Sequence, residues 1–167
     1  MNIPQARLLL VDDESAFIEI LAQRLRRRSF DAACVNSGEE ALIRLEGNHD
    51  PDVIILDLKM PGMNGIETIQ RIKNRWPLIE VILLTGHATV ASAVAALKQG
   101  AFDYLIKPYE LDSLIVKIRS AVRRKRHHEM QIRKVRTKPY ISKRECDELI
   151  ARILDATRRG APDANGQ

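Results

Sequence analysis

The sequence predicts an α/β fold in which a five-stranded parallel sheet is covered by helices on both faces. Five short apolar runs occur in the first part of the chain, and each is followed by a segment with helical periodicity. The segments between them are short, as connections in a doubly wound sheet are. The apolar runs are continuous rather than alternating, which is typical of strands buried on both faces.

The five predicted strands are the continuous apolar runs at residues 7–11, 32–35, 53–56, 81–84 and 102–106. The five helices that follow are predicted at residues 15–28, 39–45, 66–75 and 90–99 and from residue 111 onwards. Ser37 with Glu40 three positions later forms a capping box at the second helix. Gly100 is a typical residue just after the end of the fourth helix. The apolar stripe of the fifth helix stops at Val122, so the charged run at 123–128 is expected to be a solvated extension or a frayed end.

The composition is that of a globular protein, since 45% of the 167 residues are hydrophobic, which excludes disorder of the whole chain. Cys34 and Cys146 are far apart, which argues against a disulfide scaffold or a zinc site. No signal-peptide pattern begins the chain, and the apolar runs are far shorter than the roughly 20 residues that span a bilayer. We therefore expect a cytoplasmic protein without membrane insertion.

Charge is distributed unevenly along the chain. Residues 1–118 hold 13 Lys and Arg against 16 Asp and Glu, whereas residues 119–167 hold 14 against 6. The chain therefore reads as an acidic body with a basic tail, and each part needs its own interpretation.

Polar residues directly follow four of the predicted strands: Asp12 and Asp13, Asp57, Thr85 and Lys107. In an open α/β sheet the carboxyl ends of the strands form one crevice, so these side chains can converge. Clustered carboxylates repel one another, and Mg²⁺, which prefers oxygen ligands, offsets that cost. A carboxylate beside Mg²⁺ can attack a phosphoryl group, and a lysine can stabilise the transferred oxygens. Taken singly, an Asp at such a position, or Thr85, has a simpler explanation as a turn or cap residue.

Residues 5–122 as a whole resemble the receiver domain of two-component response regulators. The matching segments are LLLVDDE at the first strand, VIILDLKMPGMNG at the third, VILLTGHA at the fourth and AFDYLIKP at the fifth. The resemblance implies the flavodoxin-like strand order 2-1-3-4-5. These four separate segments occur in the family's order, which makes the resemblance specific.

For the carboxylates, the resemblance implies that Asp57 is the phosphoacceptor. Asp13 and Asp57 are then direct Mg²⁺ ligands, and Asp12 acts largely through water. The backbone carbonyl of Lys59, two residues after the phosphoacceptor, supplies a further ligand.

For the switch, the resemblance implies that Thr85 moves toward the phosphoryl group while the aromatic ring of Tyr104 turns inward. Lys107 bridges to the phosphoryl group, and the Lys107–Pro108 bond is cis. Alone, Tyr104 is explained as well by packing in a half-buried strand.

The tail separates the chain into three expected parts: a receiver domain at 1–122, a basic helical extension at 123–160 and a disordered tail at 161–167. Ser142 and Glu145 form a second capping box, and an amphipathic helix is predicted at 143–159. Leu149, Ile150, Ile153 and Leu154 form its apolar face. That face is expected to cover the chain's own receiver, a second copy or another protein.

The expected function is a phosphorylatable switch that receives its phosphoryl group from a sensor histidine kinase or phosphotransfer protein and signals through protein contacts. A homodimer is one form that these contacts can take. No standard output domain is recognisable. The alternative is a small DNA-binding transcriptional regulator that uses the basic tail, although no groove-reading module is recognisable and nucleic-acid binding is expected to be weak and unspecific.

Self-phosphorylation and self-dephosphorylation are the only enzymatic steps expected. A haloacid-dehalogenase-type phosphatase would carry a second Asp where this chain has Lys59.

Overall fold

A computed structural model describes residues 5–87 and 89–158 of the chain. Five parallel strands form one sheet in the order β2-β1-β3-β4-β5, so the predicted fold and strand order are confirmed. The strands are β1 (Arg7–Val11), β2 (Asp31–Val35), β3 (Val53–Leu56), β4 (Glu80–Thr85) and β5 (Asp103–Ile106).

Six helices accompany the strands within the described residues. They are α1 (Ser15–Arg26), α2 (Gly38–Glu46), α3 (Gly65–Arg75), α4 (Val90–Lys98), α5 (Leu111–Arg136) and α6 (Lys143–Arg158). Helices α1 and α5 bury their apolar residues on one face of the sheet, and α2, α3 and α4 bury theirs on the other. The sheet is therefore covered on both sides, which is why its strands are continuously apolar. Helix α1 ends earlier than predicted because Ser29, three residues after Arg26, has a left-handed backbone with φ of 66°.

The strand register places the carboxyl ends of the central strands side by side. Val11, the last residue of β1, pairs with Val35 of β2 and with Leu56 of β3. The residues that follow, Asp12 and Asp57, therefore leave the sheet at the same edge.

The predicted capping boxes are formed to different degrees. The Ser37 side chain accepts a hydrogen bond from the Glu40 backbone N–H at 3.1 Å, but the Glu40 carboxylate accepts from Asn36 rather than from Ser37. At α6 the box is complete, since the Ser142 hydroxyl accepts from the Glu145 backbone N–H at 3.2 Å and the Glu145 carboxylate accepts from the Ser142 backbone N–H at 3.0 Å.

The prediction that residues 123–128 are solvated is wrong for Arg124, Lys125 and His128. Helix α5 runs without interruption to Arg136, and these three side chains are buried, Lys125 with only 1% exposed. Lys125 is held by the Asp50 carboxylate and the Pro51 carbonyl at 2.7 and 2.9 Å. Acidic and carbonyl groups near the amino ends of the strands therefore bind basic side chains that the sequence pattern predicted to be exposed to solvent.

Helix α6 folds back onto the same chain. Its predicted apolar face is partly buried, with Ile150 and Leu154 facing Trp76 and Ile79 across a cavity of about 620 Å³. Position 159 and the expected disordered tail at 161–167 lie outside the described residues. None of the described helices combines the length and the apolar character that crossing a membrane requires.

Candidate functional site

Three carboxylates meet at the carboxyl edge of the sheet. One oxygen from each of Asp12, Asp13 and Asp57 lies within 4.8 Å of the others. Asp12 and Asp57 are buried, with 2% and 6% of their surface exposed, while Asp13 is open to solvent. The site therefore has two carboxylates at its floor and one at its rim.

Backbone hydrogen bonds fix the two buried carboxylates. Oδ1 of Asp57 accepts from the Leu58 N–H at 2.9 Å, and Oδ1 of Asp12 accepts from the Glu14 N–H at 2.9 Å. Gly65 packs directly on this turn, because a Cβ atom there would lie 2.6 Å from the carbonyl oxygen of Asp57. Gly65, the last residue of the MPGMNG segment, thus permits α3 to begin in close contact with the backbone of Asp57.

Lys107 joins the site from the end of β5. Its Nζ lies 2.9 Å from Oδ2 of Asp12 and 3.9 Å from the ring centroid of Phe17. The Lys107–Pro108 bond is cis, as the resemblance implied. An ammonium group held between a carboxylate and an aromatic face is a positioned positive charge at the mouth of the site.

The environment raises the pKa of Asp57 above its usual range. Burial is the main cause, and the nearby Asp12 carboxylate adds to it. The Thr85 side chain, Lys107 and the Leu58 N–H oppose the shift by stabilising the charged form. The ionised form of Asp57 is therefore destabilised in the folded protein, and a cation beside it would offset this destabilisation.

Thr85, Tyr104 and Lys59 lie around this centre. Thr85 is fully buried at the end of β4, and its Oγ1 accepts from the His87 N–H at 3.1 Å. Tyr104 is half-buried against the core formed by α2, α3 and α4, and the Lys59 side chain is exposed. Within the described residues, neither Tyr104 nor Lys59 forms a side-chain hydrogen bond to the carboxylates.

Two supporting residues were not singled out from the sequence. Phe17 is an ordinary member of the apolar stripe of α1, and nothing in the stripe marks it as the ring beneath Lys107. Glu39 accepts from the Met63 N–H at 2.9 Å and thereby ties α2 to the loop after Asp57. Gly62, which marks a turn in the sequence, has a positive φ of 76° in that loop.

The donor set suits Mg²⁺. Asp12, Asp13 and Asp57 offer hard oxygen ligands from one side, and the open rim at Asp13 leaves room for the water ligands that Mg²⁺ retains. The raised pKa of Asp57 and the mutual repulsion of the carboxylates are the features that a divalent cation would relieve.

Comparison with known proteins identifies the family. The family model of the response regulator receiver domain matches residues 8–119. The regulatory protein AtoC of Escherichia coli is 39% identical over 116 residues, which cover 70% of this chain and 25% of that protein. The DNA-binding transcriptional regulator NtrC of Salmonella typhimurium is 36% identical over 113 residues, which cover 68% of this chain and 24% of that protein. The chain spans about a quarter of the length of these relatives.

Solved structures agree with the sequence relatives. A response regulator receiver domain protein from Clostridium thermocellum is 36% identical with a TM-score of 0.68, covering 72% of this chain and 97% of that one. A CheY-like receiver domain protein from Methanospirillum hungatei is 27% identical with a TM-score of 0.70, covering 74% and 98%. The family consists of phosphorylation switches that bind Mg²⁺ at an acidic pocket and are not enzymes of the ordinary kind. On its fold, its strand-end carboxylates and the match over residues 8–119, the chain belongs to the response regulator receiver domain family.

Proposed function

We propose that this chain is a switch that accepts a phosphoryl group on Asp57 from a sensor histidine kinase or a phosphotransfer protein. The observation that carries the proposal is the joint placement of Asp12, Asp13 and Asp57 with Lys107 beside them. Carboxylates alone are common at the ends of strands. A cluster that also holds an ammonium group is suited to a transferring phosphoryl group.

The three carboxylates would have different roles in binding Mg²⁺. Asp13 and Asp57 would bind Mg²⁺ directly, Asp12 would act through water, and the Lys59 carbonyl would complete the protein's share of the ligands. The bound ion supplies charge neutralisation for the phosphoryl oxygens. Asp12 is also the partner of Lys107, so the same carboxylate can position both cations.

In the transfer step an oxygen of Asp57 forms a bond to phosphorus while the bond from phosphorus to the donor nitrogen of the kinase breaks. The Lys107 ammonium stabilises the oxygens of the group in transit, and the product is an aspartyl phosphate. Hydrolysis of that acyl phosphate by water returns the carboxylate and releases phosphate.

The proposed conformational change on phosphorylation depends on the position of Thr85. Its hydroxyl, at the end of β4 and near Asp57, would donate to the phosphoryl group instead of only accepting from His87. Tyr104, half-buried on the adjacent strand, would turn inward into the space that Thr85 leaves. The affected surface is the one formed by α4, β5 and α5.

Output through protein contacts is favoured over DNA binding by the placement of the basic residues. Arg124 and Lys125, the centre of the charged run, are themselves buried and bind the carboxylates of Glu80 and Asp50, so they are not available to phosphates of a nucleic acid. A homodimer is one form that these contacts can take. The cytoplasm is the compartment in which such a switch meets its kinase.

Incubation with a small-molecule phosphodonor tests the proposal. In the presence of Mg²⁺ the protein should gain one phosphoryl group, and with EDTA in place of Mg²⁺ the rate should fall to the background level. Incorporation at the same rate in EDTA would rule out the metal-assisted mechanism, and no incorporation from any phosphodonor would rule out the switch itself.

A further inference from the structure

A basic groove lies at the opposite edge of the sheet from the carboxylates. It has a volume of about 690 Å³ and is bounded by the turn between α1 and β2, the start of β1 and one side of α5. Four arginine residues line it, namely Arg28, Arg119, Arg123 and Arg126. None of the residues proposed for phosphoryl transfer lines this groove.

The arginines of α5 are concentrated by the geometry of the helix. Positions 119, 123 and 126 are four and three residues apart, so their side chains share one face of α5. Like charges at this spacing repel and destabilise a helix. Arg28 adds a fourth positive charge from the neighbouring turn, where Ser29 has a left-handed backbone. An anion in the groove would remove a repulsion that the fold otherwise retains.

Two of the four guanidinium groups are already engaged. Arg28 pairs with Asp112 at 3.0 Å and Arg126 lies 3.9 Å from a carboxylate oxygen of Asp52. Arg119 and Arg123 are exposed, and within residues 5–87 and 89–158 neither has an ion-pair partner. No Asp or Glu is among the described residues that line the groove. Among the described residues, the acidic groups therefore balance only part of its positive charge.

Between the arginines the floor of the groove is apolar. Ala6, Phe30 and Val122 form it, and Phe30 and Val122 also belong to the core between the sheet and helices α1 and α5. A ligand that satisfied only the charges would leave this apolar floor unused. A purely apolar ligand would have to desolvate guanidinium groups without compensation.

We propose that the groove binds a nucleoside diphosphate or triphosphate. The phosphates would lie against Arg119 and Arg123, whose planar guanidinium groups match phosphate oxygens two at a time. The planar base would lie on the floor formed by Phe30 and Val122. The volume falls in the range of about 300–1,000 Å³ that is typical of small-molecule sites. This site is spatially separate from the proposed phosphorylation site, since Asp57 lies beyond the other end of the strands.

Isothermal titration of the full chain with ADP and with GDP, in a buffer without Mg²⁺, tests the proposal. At least one of the two nucleotides should bind with a stoichiometry of one. The double variant Arg119→Ala with Arg123→Ala should weaken that binding by about tenfold or more for each guanidinium removed, because hydrogen bonds to charged groups are among the strong ones. Both positions are exposed on a helix and alanine favours helix, so the fold should be retained, which circular dichroism checks.

The matched control is Lys134→Ala with Lys138→Ala, which removes two exposed charges that lie outside the groove. This variant and Asp57→Asn should both bind the nucleotide as the natural chain does, so a failure of the groove and a failure of the phosphorylation site give different results. Absence of saturable binding of either nucleotide would overturn the proposal. So would an equal loss of affinity in the control, or duplex DNA that binds through Arg119 and Arg123 when neither nucleotide does.

Discussion

The Arg124 guanidinium donates two hydrogen bonds, of 2.7 and 2.9 Å, to the carboxylate of Glu80, which is completely buried. Arg124 lies in the part of α5 beyond the family match, and Glu80 is the first residue of β4. Lys73 approaches the same carboxylate at 3.4 Å. The extension of α5 is therefore joined to the sheet by a buried charge network rather than by apolar contacts alone.

Replacing Arg124 should strongly destabilise the protein. Arg124→Ala leaves a buried carboxylate with one partner fewer, and loss of one member of a buried pair costs about 3–5 kcal/mol. Urea unfolding monitored by circular dichroism measures the free energy of unfolding. The control Lys134→Ala, on the exposed side of the same helix, should change it by less than about 0.5 kcal/mol. Equal effects of the two variants would show that the Glu80 pair does not anchor the extension.

The docking of α6 should depend on Gly100. A Cβ atom at this position would lie 2.4 Å from the Arg158 carbonyl oxygen, and the backbone φ of 99° disfavours any side chain. Gly100→Ala should therefore lower the free energy of unfolding by about 1–3 kcal/mol and speed hydrogen exchange in residues 143–158. The control is Gly47→Ala, since Gly47 has an ordinary φ of −76° and its nearest neighbour would be 3.5 Å away. Unchanged exchange in α6 would mean that α6 does not rest on this glycine.

Much of the fold could be predicted because its signals are local. Strands β1 and β3 begin and end where the sequence predicts, since each is a continuous apolar run that stops at an aspartate. The convergence of Asp12, Asp13 and Asp57 was predictable for the same reason, because the carboxyl ends of parallel strands meet at one edge whatever the details of packing.

The environment of the charged run could not be predicted in this way. Arg124 and Lys125 read as solvated residues because the apolar periodicity stops before them. Their burial depends on Glu80 and Asp50, which are 44 and 75 residues away in sequence. Similarly, the contact between Lys107 and Phe17 joins two residues that are far apart in the sequence, and no local pattern predicts it.

Magnesium should stabilise the folded protein. At ten times its dissociation constant, a ligand that binds only the folded state raises the free energy of unfolding by about 1.4 kcal/mol. Asp13→Asn should remove most of this gain by weakening the metal site, whereas Asp31→Asn, an exposed aspartate outside the site, should leave it intact. Thermal unfolding with and without Mg²⁺ measures the difference. A full gain in Asp13→Asn would exclude Asp13 as a ligand.

Without metal, Asp57 should destabilise the fold at neutral pH. Its pKa in the folded protein is above the ordinary value of 3.8, so folding favours the neutral form. The free energy of unfolding therefore falls as the pH rises from about that value through the folded pKa. In EDTA at pH 7, Asp57→Asn should be more stable than the natural chain, and the difference should shrink as the pH is lowered. A difference that does not change with pH would contradict the raised pKa.

Identification of the residue that carries the phosphoryl group is the most direct test of the proposed switch. The protein is incubated with a small-molecule phosphodonor and Mg²⁺, and the modified peptide is located by mass spectrometry. We predict one phosphoryl group on the peptide that contains Asp57, and none in Asp57→Asn, which keeps the shape of the side chain but lacks the nucleophile. Modification of a different residue, or an unchanged rate in Asp57→Asn, would contradict the account.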